Sequence, residues 1–267
     1  MFEKIGCIGC GNMGSVIAKT IYRNAPDSAF YLANRPEAQA EELSLLLPGS
    51  CVTDNIGAAG KCDLIVLGVK PQVMPSVLSE ISPVLKERKG EFTLVTMAAG
   101  LSCENIREMA DADCPVIRIM PNLPASVGCG VIMYCGYDVS EEVLSDFAGL
   151  LSGSGTVDRI DEKLIDAASA ISGCGPAYAY MFIEALADGG VDCGLPRDKA
   201  LAYAARTLEG AAALVRESGK HPGALKDAVC SPGGTTIEGV RALEERGFRA
   251  AAMNAVIAAY EKTIRMK

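Results

Sequence analysis

The chain has 267 residues, with 25 lysines and arginines against 33 aspartates and glutamates, and a net charge of −8 at pH 7. A chain of this length forms one large domain or two of ordinary size, and we expect two. The acidic balance argues against a nucleic-acid partner, and the longest apolar stretches, such as 63–69 and 92–101, are too short to span a bilayer.

The 11 cysteines and the single histidine narrow the class of protein further. The cysteines are scattered among apolar positions with no secretory signal before them, which is typical of a protein of the reducing cytoplasm. Cys7 and Cys10 have CxxC spacing, but no second pair or histidine cluster accompanies them, so we predict no metal site. Because His221 is the only histidine, a histidine-based catalytic triad and a multi-histidine metal site are excluded.

From Lys4 to about residue 157, short β-rich runs alternate with helical patterns. This alternation predicts an α/β fold with an N-terminal, Rossmann-type, doubly wound parallel sheet. The predicted strands are 4–8, 29–32, 64–67, 93–96 and 116–120, with weaker candidates at 130–134 and 155–158. The predicted helices begin near Asn12, Pro36, Pro71, Cys103 and Ser140.

After Arg159 the strand patterns stop and helical patterns follow. Helices are predicted over 161–171, 176–188 with an end at Gly189, 196–217, 235–246 and 248–265. In the long helix, apolar residues recur at three- and four-residue steps and form one face, which consists of Leu201, Ala204, Ala205, Leu208, Ala211, Ala212 and Val215. We therefore predict a dinucleotide-binding domain over 1–158 and an all-α helical-bundle domain for dimerisation and substrate over 159–267. Because the mean hydropathy is high, at +0.23, part of the helical surface is expected to contact another subunit.

The string GCIGCGNMG places Gly9, Gly11 and Gly14 in GxGxxG spacing between a predicted strand and a predicted helix. In such a setting the first glycine allows a tight turn, the second lets the backbone approach a pyrophosphate, and the third lets the helix pack on the strand. The loop has no lysine or arginine, so the phosphate charge would be met by N–H groups at the start of the helix. We predict a dinucleotide site here, the alternative being a purely structural glycine turn.

The end of the second predicted strand bears on the choice of cofactor, because NAD-binding chains carry an acidic side chain there for a ribose hydroxyl. Here the residues are Asn34 and Arg35; no carboxylate stands beside them to repel a 2′-phosphate, and Arg35 can pair with one. The sequence therefore favours NADP over NAD, unless Arg35 is only a solvated surface charge. Two more loops at strand ends, 69–71 with Lys70 and 97–100 with small residues, are further candidates for cofactor contact, the alternative being that they are ordinary strand-to-helix turns.

Nine strings point together to one family: GCGNMG, NRP, GVKPQ, MAAG, RIMPNLPA, SGCGPAY, ALADGGVDCGLPR, HPGALKDAV and SPGGTT. In this order, over residues 6–236, the chain resembles the pyrroline-5-carboxylate reductases. The resemblance implies NAD(P)H-dependent hydride transfer to the C=N bond of 1-pyrroline-5-carboxylate, the last step of proline synthesis. It also implies a Rossmann domain followed by a helical domain that interlocks with a second subunit, in dimers that often assemble into rings of five.

The resemblance and the glycine motif together assign the candidate site residues. Cofactor contacts are expected at Ile8, Gly9, Cys10, Gly11, Asn12, Met13, Gly14, Asn34, Arg35, Asn55, Val69, Lys70, Pro71, Met97, Ala98 and Ala99. By resemblance, the substrate carboxylate lies against the backbone of Gly233, Gly234 and Thr235, the hydroxyl of Thr236 lies near the ring nitrogen, and Glu162 lies close by. Thr236 and Glu162 are thus the candidate catalytic residues. The chain departs from the family pattern where Cys174 replaces a serine and Ala228 replaces an asparagine, so we expect no polar contact from these two positions.

Read from its residues alone, SPGGTT contains a TxxE capping box with Thr235 as N-cap and Glu238 returning to its N–H group. Thr236 would then be the first helical residue, with a hydroxyl that the cap does not use. Gly233 and Gly234 would leave backbone N–H groups uncovered beside it, where a small carboxylate fits. The structural alternative is that the segment only starts a helix.

Two other functions stay open on the sequence. One is a related reductase that acts on another imine or on a β-hydroxy acid, which a catalytic lysine in the helical domain would support. The lysines there, Lys163, Lys199, Lys220 and Lys226, do not stand in a glycine-bounded motif. The other is a non-catalytic NADP-binding protein, which would bind NADPH and leave C=N substrates untouched.

Overall fold

The computed structural model describes residues 2–88 and 91–266, which divide into two compact units. The first unit consists of two segments, the chain up to Gly173 and the chain from Tyr260 onward. The second unit is Cys174–Ala259. The boundary predicted near residue 158 therefore falls inside the first unit. The physical reason is that the helix beginning at Glu162 packs on the sheet, with Ile165 buried in the core of the first unit.

The first unit is built on an eight-stranded sheet with the order β3-β2-β1-β4-β5-β6-β7-β8 among the described residues. The strands are β1 Lys4–Ile8, β2 Ala29–Ala33, β3 Cys51–Val52, β4 Leu64–Leu67, β5 Thr93–Thr96, β6 Val116–Met120, β7 Gly130–Tyr137 and β8 Gly155–Arg159. Neighbouring strands pair in parallel except β6 and β7, which are antiparallel. The Rossmann-type sheet is thus confirmed, and the strand order reverses between β1 and β4. Open α/β sheets bind their ligands above the carboxyl ends of the strands at such a point.

Seven helices cover this sheet within the described residues. They are α1 Asn12–Asn24, α2 Ala38–Ser44, α3 Asn55–Lys61, α4 Met74–Glu87, α5 Cys103–Ala110, α6 Glu141–Leu150 and α7 Glu162–Ser172. The predicted helix starts at Asn12 and Cys103 are confirmed, whereas α2 and α4 begin after the predicted prolines and Ser140 is the N-cap of α6. Neither β3 nor α3 was predicted, because each is too short to show a periodic pattern.

Both faces of the sheet are buried, as the alternation along β4 shows. Leu64 and Val66 belong to a core cluster with residues of α1 and α6, whereas Ile65 and Leu67 belong to a second cluster with residues of α4 and α5. Since successive side chains of a strand point to opposite faces, helices must lie on both sides. This double covering explains why the central strands read as continuous apolar runs.

The second unit consists of helices. They are α8 Gly175–Asp192, α9 Arg197–Ser218, α10 Pro222–Val229, α11 Thr235–Glu245 and the part of α12 Phe248–Ile264 that precedes Tyr260. The predicted end of α8 at Gly189 is wrong, because the helix continues to Asp192. The next glycine, Gly190, serves for close packing, since a Cβ there would lie 3.2 Å from the Cβ of Ala200 on α9. The unpredicted α10 is capped by His221, whose Nδ1 accepts a hydrogen bond from the N–H of Gly223 at 3.0 Å. The histidine thus has a structural role.

The apolar face predicted for α9 is largely exposed in the single chain. Ala204 is buried with Ala187 and Ala200, whereas Leu201 is 49% exposed and Val215 is 37% exposed. Exposed apolar surface of this extent marks a site of association. This face of α9 is therefore both apolar and exposed, as the sequence predicted for a surface that contacts another subunit.

Over the described residues, none of the helices combines the length and the apolar character that crossing a bilayer requires.

The thiol of Cys62, fully buried against α3 and β1, makes the stability of the fold depend on pH. Burial raises its pKa to about 12, whereas a cysteine in an unfolded chain titrates near pH 8.5. Because the folded pKa is the higher one, its contribution is complete below pH 8.5 and is lost as the pH rises toward 12. Between pH 8 and pH 10 we expect this thiol to lower the free energy of unfolding by up to about 2 kcal/mol.

Urea unfolding of the wild type and of Cys62→Ala at both pH values measures this loss. The alanine variant should lose less stability than the wild type between pH 8 and pH 10, whatever its stability at pH 8. Cys51→Ala, which removes an exposed thiol, is the control and should follow the wild type. Equal losses in all three proteins would contradict the prediction.

Candidate functional site

The turn from β1 to α1 needs glycine for two separate reasons. Gly9 has a φ of 101°, a left-handed conformation that side chains rarely adopt, and its N–H donates to the carbonyl of Ala33 at 2.8 Å. A Cβ on Gly14 would overlap the carbonyl oxygen of Gly9, so any side chain there would push α1 away from the strand. The N–H of Gly68, just after β4, donates to the carbonyl of Ile8 at 2.7 Å, which holds the end of β4 close to the same turn.

The N-terminus of α1 is open on the side where a phosphate would lie. Gly11 is its N-cap, no side chain of the described chain caps it, and the first turn contains no acidic residue. A Cβ on Gly11 would meet no atom within 4 Å. A hydrogen bond from the residue that follows β2 holds the turn, since the side-chain oxygen of Asn34 accepts from the N–H of Cys10 at 2.8 Å. Uncovered N–H groups at the positive end of a helix dipole fit a pyrophosphate.

Two cavities flank the glycine turn. The first, of about 170 Å³, is lined by Ile8, Gly9, Asn34, Arg35, Asn55, Val69, Val73, Ser76, Val77 and Glu80. The second, of about 200 Å³, is lined by Cys10, Gly11, Asn12, Ser15, Lys19, Gln39, Glu42, Leu43 and Leu46. The structure thus brings nine predicted cofactor residues together, while Met13, Gly14, Lys70, Pro71, Met97, Ala98 and Ala99 are not part of either lining.

The first cavity corrects the prediction about charge at the end of β2. The residues that follow β2 offer no carboxylate beside Arg35, but Glu80 of α4 brings one to Arg35 from a different part of the chain. Its Oε1 lies 2.6 Å from Nη2 of Arg35, and its Oε2 accepts from Nδ2 of Asn55 at 2.8 Å. The sequence did not predict that α4 forms a wall of this cavity. The signal was present, because the lining residues recur at helical spacing and lie on one face of the helix; they are Val73, Ser76, Val77 and Glu80.

Glu162, a predicted catalytic residue, is the first residue of α7 and is held by two other elements. Its Oε1 accepts from the N–H of Cys103 at 2.8 Å and lies 3.4 Å from Nη1 of Arg118 on β6. The Arg118 side chain is 2% exposed and pairs with the buried Asp166 at 2.6 Å. One carboxylate oxygen of Glu162 therefore joins α7 to α5 and β6, and the residue also lines a cavity of about 480 Å³.

A pair of cysteines lies beside Glu162, which the sequence did not predict. The sulfur atoms of Cys103 and Cys135 and a carboxylate oxygen of Glu162 lie within 4.8 Å of one another. The hydrogen bond between the two thiols, together with burial, raises the pKa of Cys103, and the same bond lowers the pKa of Cys135. These three side chains thus join α5, β7 and α7 in one polar cluster.

In SPGGTT the predicted capping box is wrong. The chain turns at Gly233, which has a φ of 68°, and the N–H of Gly234 donates to the carbonyl of Ser231 at 3.0 Å. Gly234 is therefore the N-cap of α11, and Thr235 is already its first residue. Glu238 does not return to the helix start, because it accepts from Nη2 of Arg241 at 2.8 Å.

This arrangement leaves the start of α11 open to a ligand. Thr236 is the second helical residue, not the first as predicted, and it is exposed. No side chain in the described part of the chain caps α11, so its first N–H groups have no side-chain acceptor there. A helix start with free N–H groups and a hydroxyl beside them suits a small carboxylate.

Comparisons with known proteins find matches for both halves of the chain. The family model for pyrroline-5-carboxylate reductase dimerisation matches residues 162–266, and a model described as NADP oxidoreductase coenzyme F420-dependent matches residues 4–100. The pyrroline-5-carboxylate reductase of Glycine max is 42% identical over 97% of this chain and 94% of its own length. That of Escherichia coli (strain K12) is 38% identical over 98% of each chain. The crystal structure of Plasmodium falciparum pyrroline carboxylate reductase with NADP bound is similar with a TM-score of 0.85, at 34% identity, over 98% of this chain and 97% of its own.

Proposed function

This chain belongs to the pyrroline-5-carboxylate reductase family, and from that premise we propose that it transfers a hydride from NADPH to the C=N carbon of 1-pyrroline-5-carboxylate, giving L-proline. It is an NAD(P)H-dependent oxidoreductase. The observation that carries the proposal is the similarity along nearly the whole chain, since this similarity takes in the nucleotide turn and SPGGTT alike.

The residues around the glycine turn fit a dinucleotide. The open N-terminus of α1 offers N–H groups to the pyrophosphate, and Arg35 offers a planar guanidinium to a 2′-phosphate. Asn55, only 5% exposed, offers an amide at the same end of the cavity. Bound NADPH supplies the hydride. The chain's part is to hold it and to orient the substrate against it.

For the substrate, we assign the carboxylate to the backbone of Gly233, Gly234 and Thr235 at the start of α11. The imine nitrogen must be protonated before its carbon accepts a hydride readily, and the hydroxyl of Thr236 can accept the hydrogen bond of that protonated nitrogen. Glu162 adds a negative charge that stabilises the iminium. Because the N–H of Cys103 and the guanidinium of Arg118 hold Oε1 of Glu162, this charge is fixed in place before substrate binds.

The exposed apolar face of α9 and the dimerisation model that matches residues 162–266 support self-association through the helical domain. We assign the chain to a dimer and extend the proposal to a decamer of five dimers. All 11 cysteines are free thiols, which fits the reducing cytoplasm. Size-exclusion chromatography with light scattering distinguishes the dimer from the decamer.

The test of the activity is direct. Purified protein is mixed with 1-pyrroline-5-carboxylate and NADPH, then separately with NADH, while the absorbance of the reduced nicotinamide is followed and the product is identified as L-proline. We expect oxidation of NADPH that depends on the imine. Binding of NADPH without oxidation would instead identify a non-catalytic NADP-binding protein, and oxidation with 1-pyrroline but not with the 5-carboxylate would identify a different imine reductase.

A further inference from the structure

Glu80 stands where a ribose of the cofactor would be recognised, although it comes from a different element than the usual acidic residue. We propose that Glu80 decides how strongly this enzyme distinguishes NADPH from NADH, by keeping a fixed carboxylate beside Arg35. The inference rests on the proposed use of a nicotinamide dinucleotide and concerns the choice between its two forms.

Three side chains, those of Arg35, Asn55 and Glu80, meet in one cavity. The two carboxylate oxygens of Glu80 are used by different partners, Arg35 at 2.6 Å and Asn55 at 2.8 Å. All three residues line the cavity beside Ile8 and Gly9, at the end of β1 where the nucleotide turn begins. A cation and an anion are therefore both present at the same end of the crevice.

The three side chains differ in how firmly they are held. The side chain of Arg35 is 73% exposed, whereas that of Glu80 is 22% exposed and its other partner, Asn55, is buried. Ion pairs with an exposed partner are weak, because water screens the charges and the long side chain loses freedom on pairing. Arg35 can therefore leave Glu80 for a phosphate at little cost, while the carboxylate stays on Asn55.

The two cofactors differ in the group at the 2′ position of the ribose. A carboxylate only accepts hydrogen bonds, so Glu80 suits the 2′-hydroxyl of NADH, the group that an acidic residue binds in NAD-dependent enzymes. A 2′-phosphate carries negative charge and is attracted by Arg35 but repelled by Glu80. The site thus has one group that favours each cofactor, Arg35 for NADPH and Glu80 for NADH. With Glu80 present, the preference for NADPH is weaker than Arg35 alone would make it.

The test measures equilibrium binding, so that it does not depend on turnover. Dissociation constants of NADPH and NADH are determined by titration calorimetry for the wild type and for Glu80→Gln, which keeps the shape of the side chain and removes its charge. We expect the ratio of the NADH constant to the NADPH constant to rise about tenfold in the variant, with tighter NADPH and weaker NADH. Adenosine 2′,5′-bisphosphate and adenosine 5′-monophosphate serve as probes of the 2′-phosphate alone and should show the same change in ratio.

Two further variants make the result specific. Glu87→Gln removes an exposed carboxylate from the same helix and should leave both constants unchanged, so a shift there would show a general charge effect. Arg35→Gln should move the ratio in the opposite direction, by weakening NADPH. A thermal melt shows whether each variant is folded.

The outcomes separate this inference from the proposed function. If Glu80→Gln is folded and its ratio is unchanged or falls, the role of Glu80 is overturned, even though the wild type reduces 1-pyrroline-5-carboxylate. If the wild type binds neither cofactor, the proposed function fails and this inference fails with it. A ratio that rises in Glu80→Gln and not in Glu87→Gln supports the proposal.

Discussion

Replacing Asp166 with asparagine is expected to lower the free energy of unfolding by about 3–5 kcal/mol, the cost of leaving a buried charge without its partner. Arg118 is the charge in question. Its side chain is 2% exposed, its Nη2 lies 2.6 Å from the Asp166 carboxylate, and its Nε has no hydrogen-bond partner among the described residues. Glu162 compensates only part of this charge, because its Oε1 lies 3.4 Å from the guanidinium and also accepts from the N–H of Cys103. Urea unfolding, followed by circular dichroism, measures the loss.

Two comparisons show that the loss comes from the buried pair. In the double variant Arg118→Met with Asp166→Leu, both charges are replaced by apolar groups, and most of the lost stability should return. Glu141→Gln breaks the pair with Arg159, in which both side chains are exposed, and should change the stability little. A loss in Asp166→Asn no larger than that in Glu141→Gln would show that the buried pair does not stabilise the fold.

Replacing Thr236 with alanine is expected to lower kcat/KM for 1-pyrroline-5-carboxylate by roughly 10 to 1,000-fold, since it removes a hydroxyl that positions the substrate or stabilises its charge. Thr236 is exposed at the start of α11 and caps no helix, so the fold does not depend on its side chain. The dissociation constant of NADPH should therefore stay unchanged, and so should the melting temperature. Steady-state kinetics with the imine varied at saturating NADPH measures the effect.

The neighbouring residue supplies the control. Thr235 contributes its backbone to the proposed carboxylate site, and its side chain does not cap α11 among the described residues. Thr235→Ala should therefore keep most of the activity, and Thr236→Ser, which restores the hydroxyl, should recover most of what Thr236→Ala loses. Wild-type kcat/KM in Thr236→Ala would exclude a role for this hydroxyl in the reaction.

The antiparallel pair of β6 and β7 was within reach of the sequence. Only nine residues separate Met120 from Gly130, and a crossover to a parallel strand needs a dozen or more, usually with a helix. The chain turns back through a short 3-10 segment, Leu123–Val127, and Asn122 ties the turn by accepting from the N–H of Val131 at 2.9 Å. The spacing of the two strands would have predicted the reversal.

The start of α11 shows a different limit. Thr235 followed by Glu238 matches a capping box, but the match does not fix which residue has the extended N-cap conformation. Gly233 adopts a left-handed turn and Gly234 the extended conformation, so the N-cap is Gly234, one residue earlier than the N-cap that the capping box placed at Thr235. The helix itself was predicted, and its boundary was decided by glycine conformations that the one-dimensional pattern does not record.

The sequence by itself determined the features that depend on residues close to one another along the chain. The glycine spacing predicted the turn between β1 and α1, the alternating patterns predicted the Rossmann-type sheet, and the single histidine excluded several kinds of catalytic site. Only the tertiary structure placed Glu80 on Arg35, 45 residues away, and Glu162 on the N–H of Cys103, 59 residues away. A periodic pattern reports which face of an element is buried, and the packing of elements decides which charges then meet across the crevice.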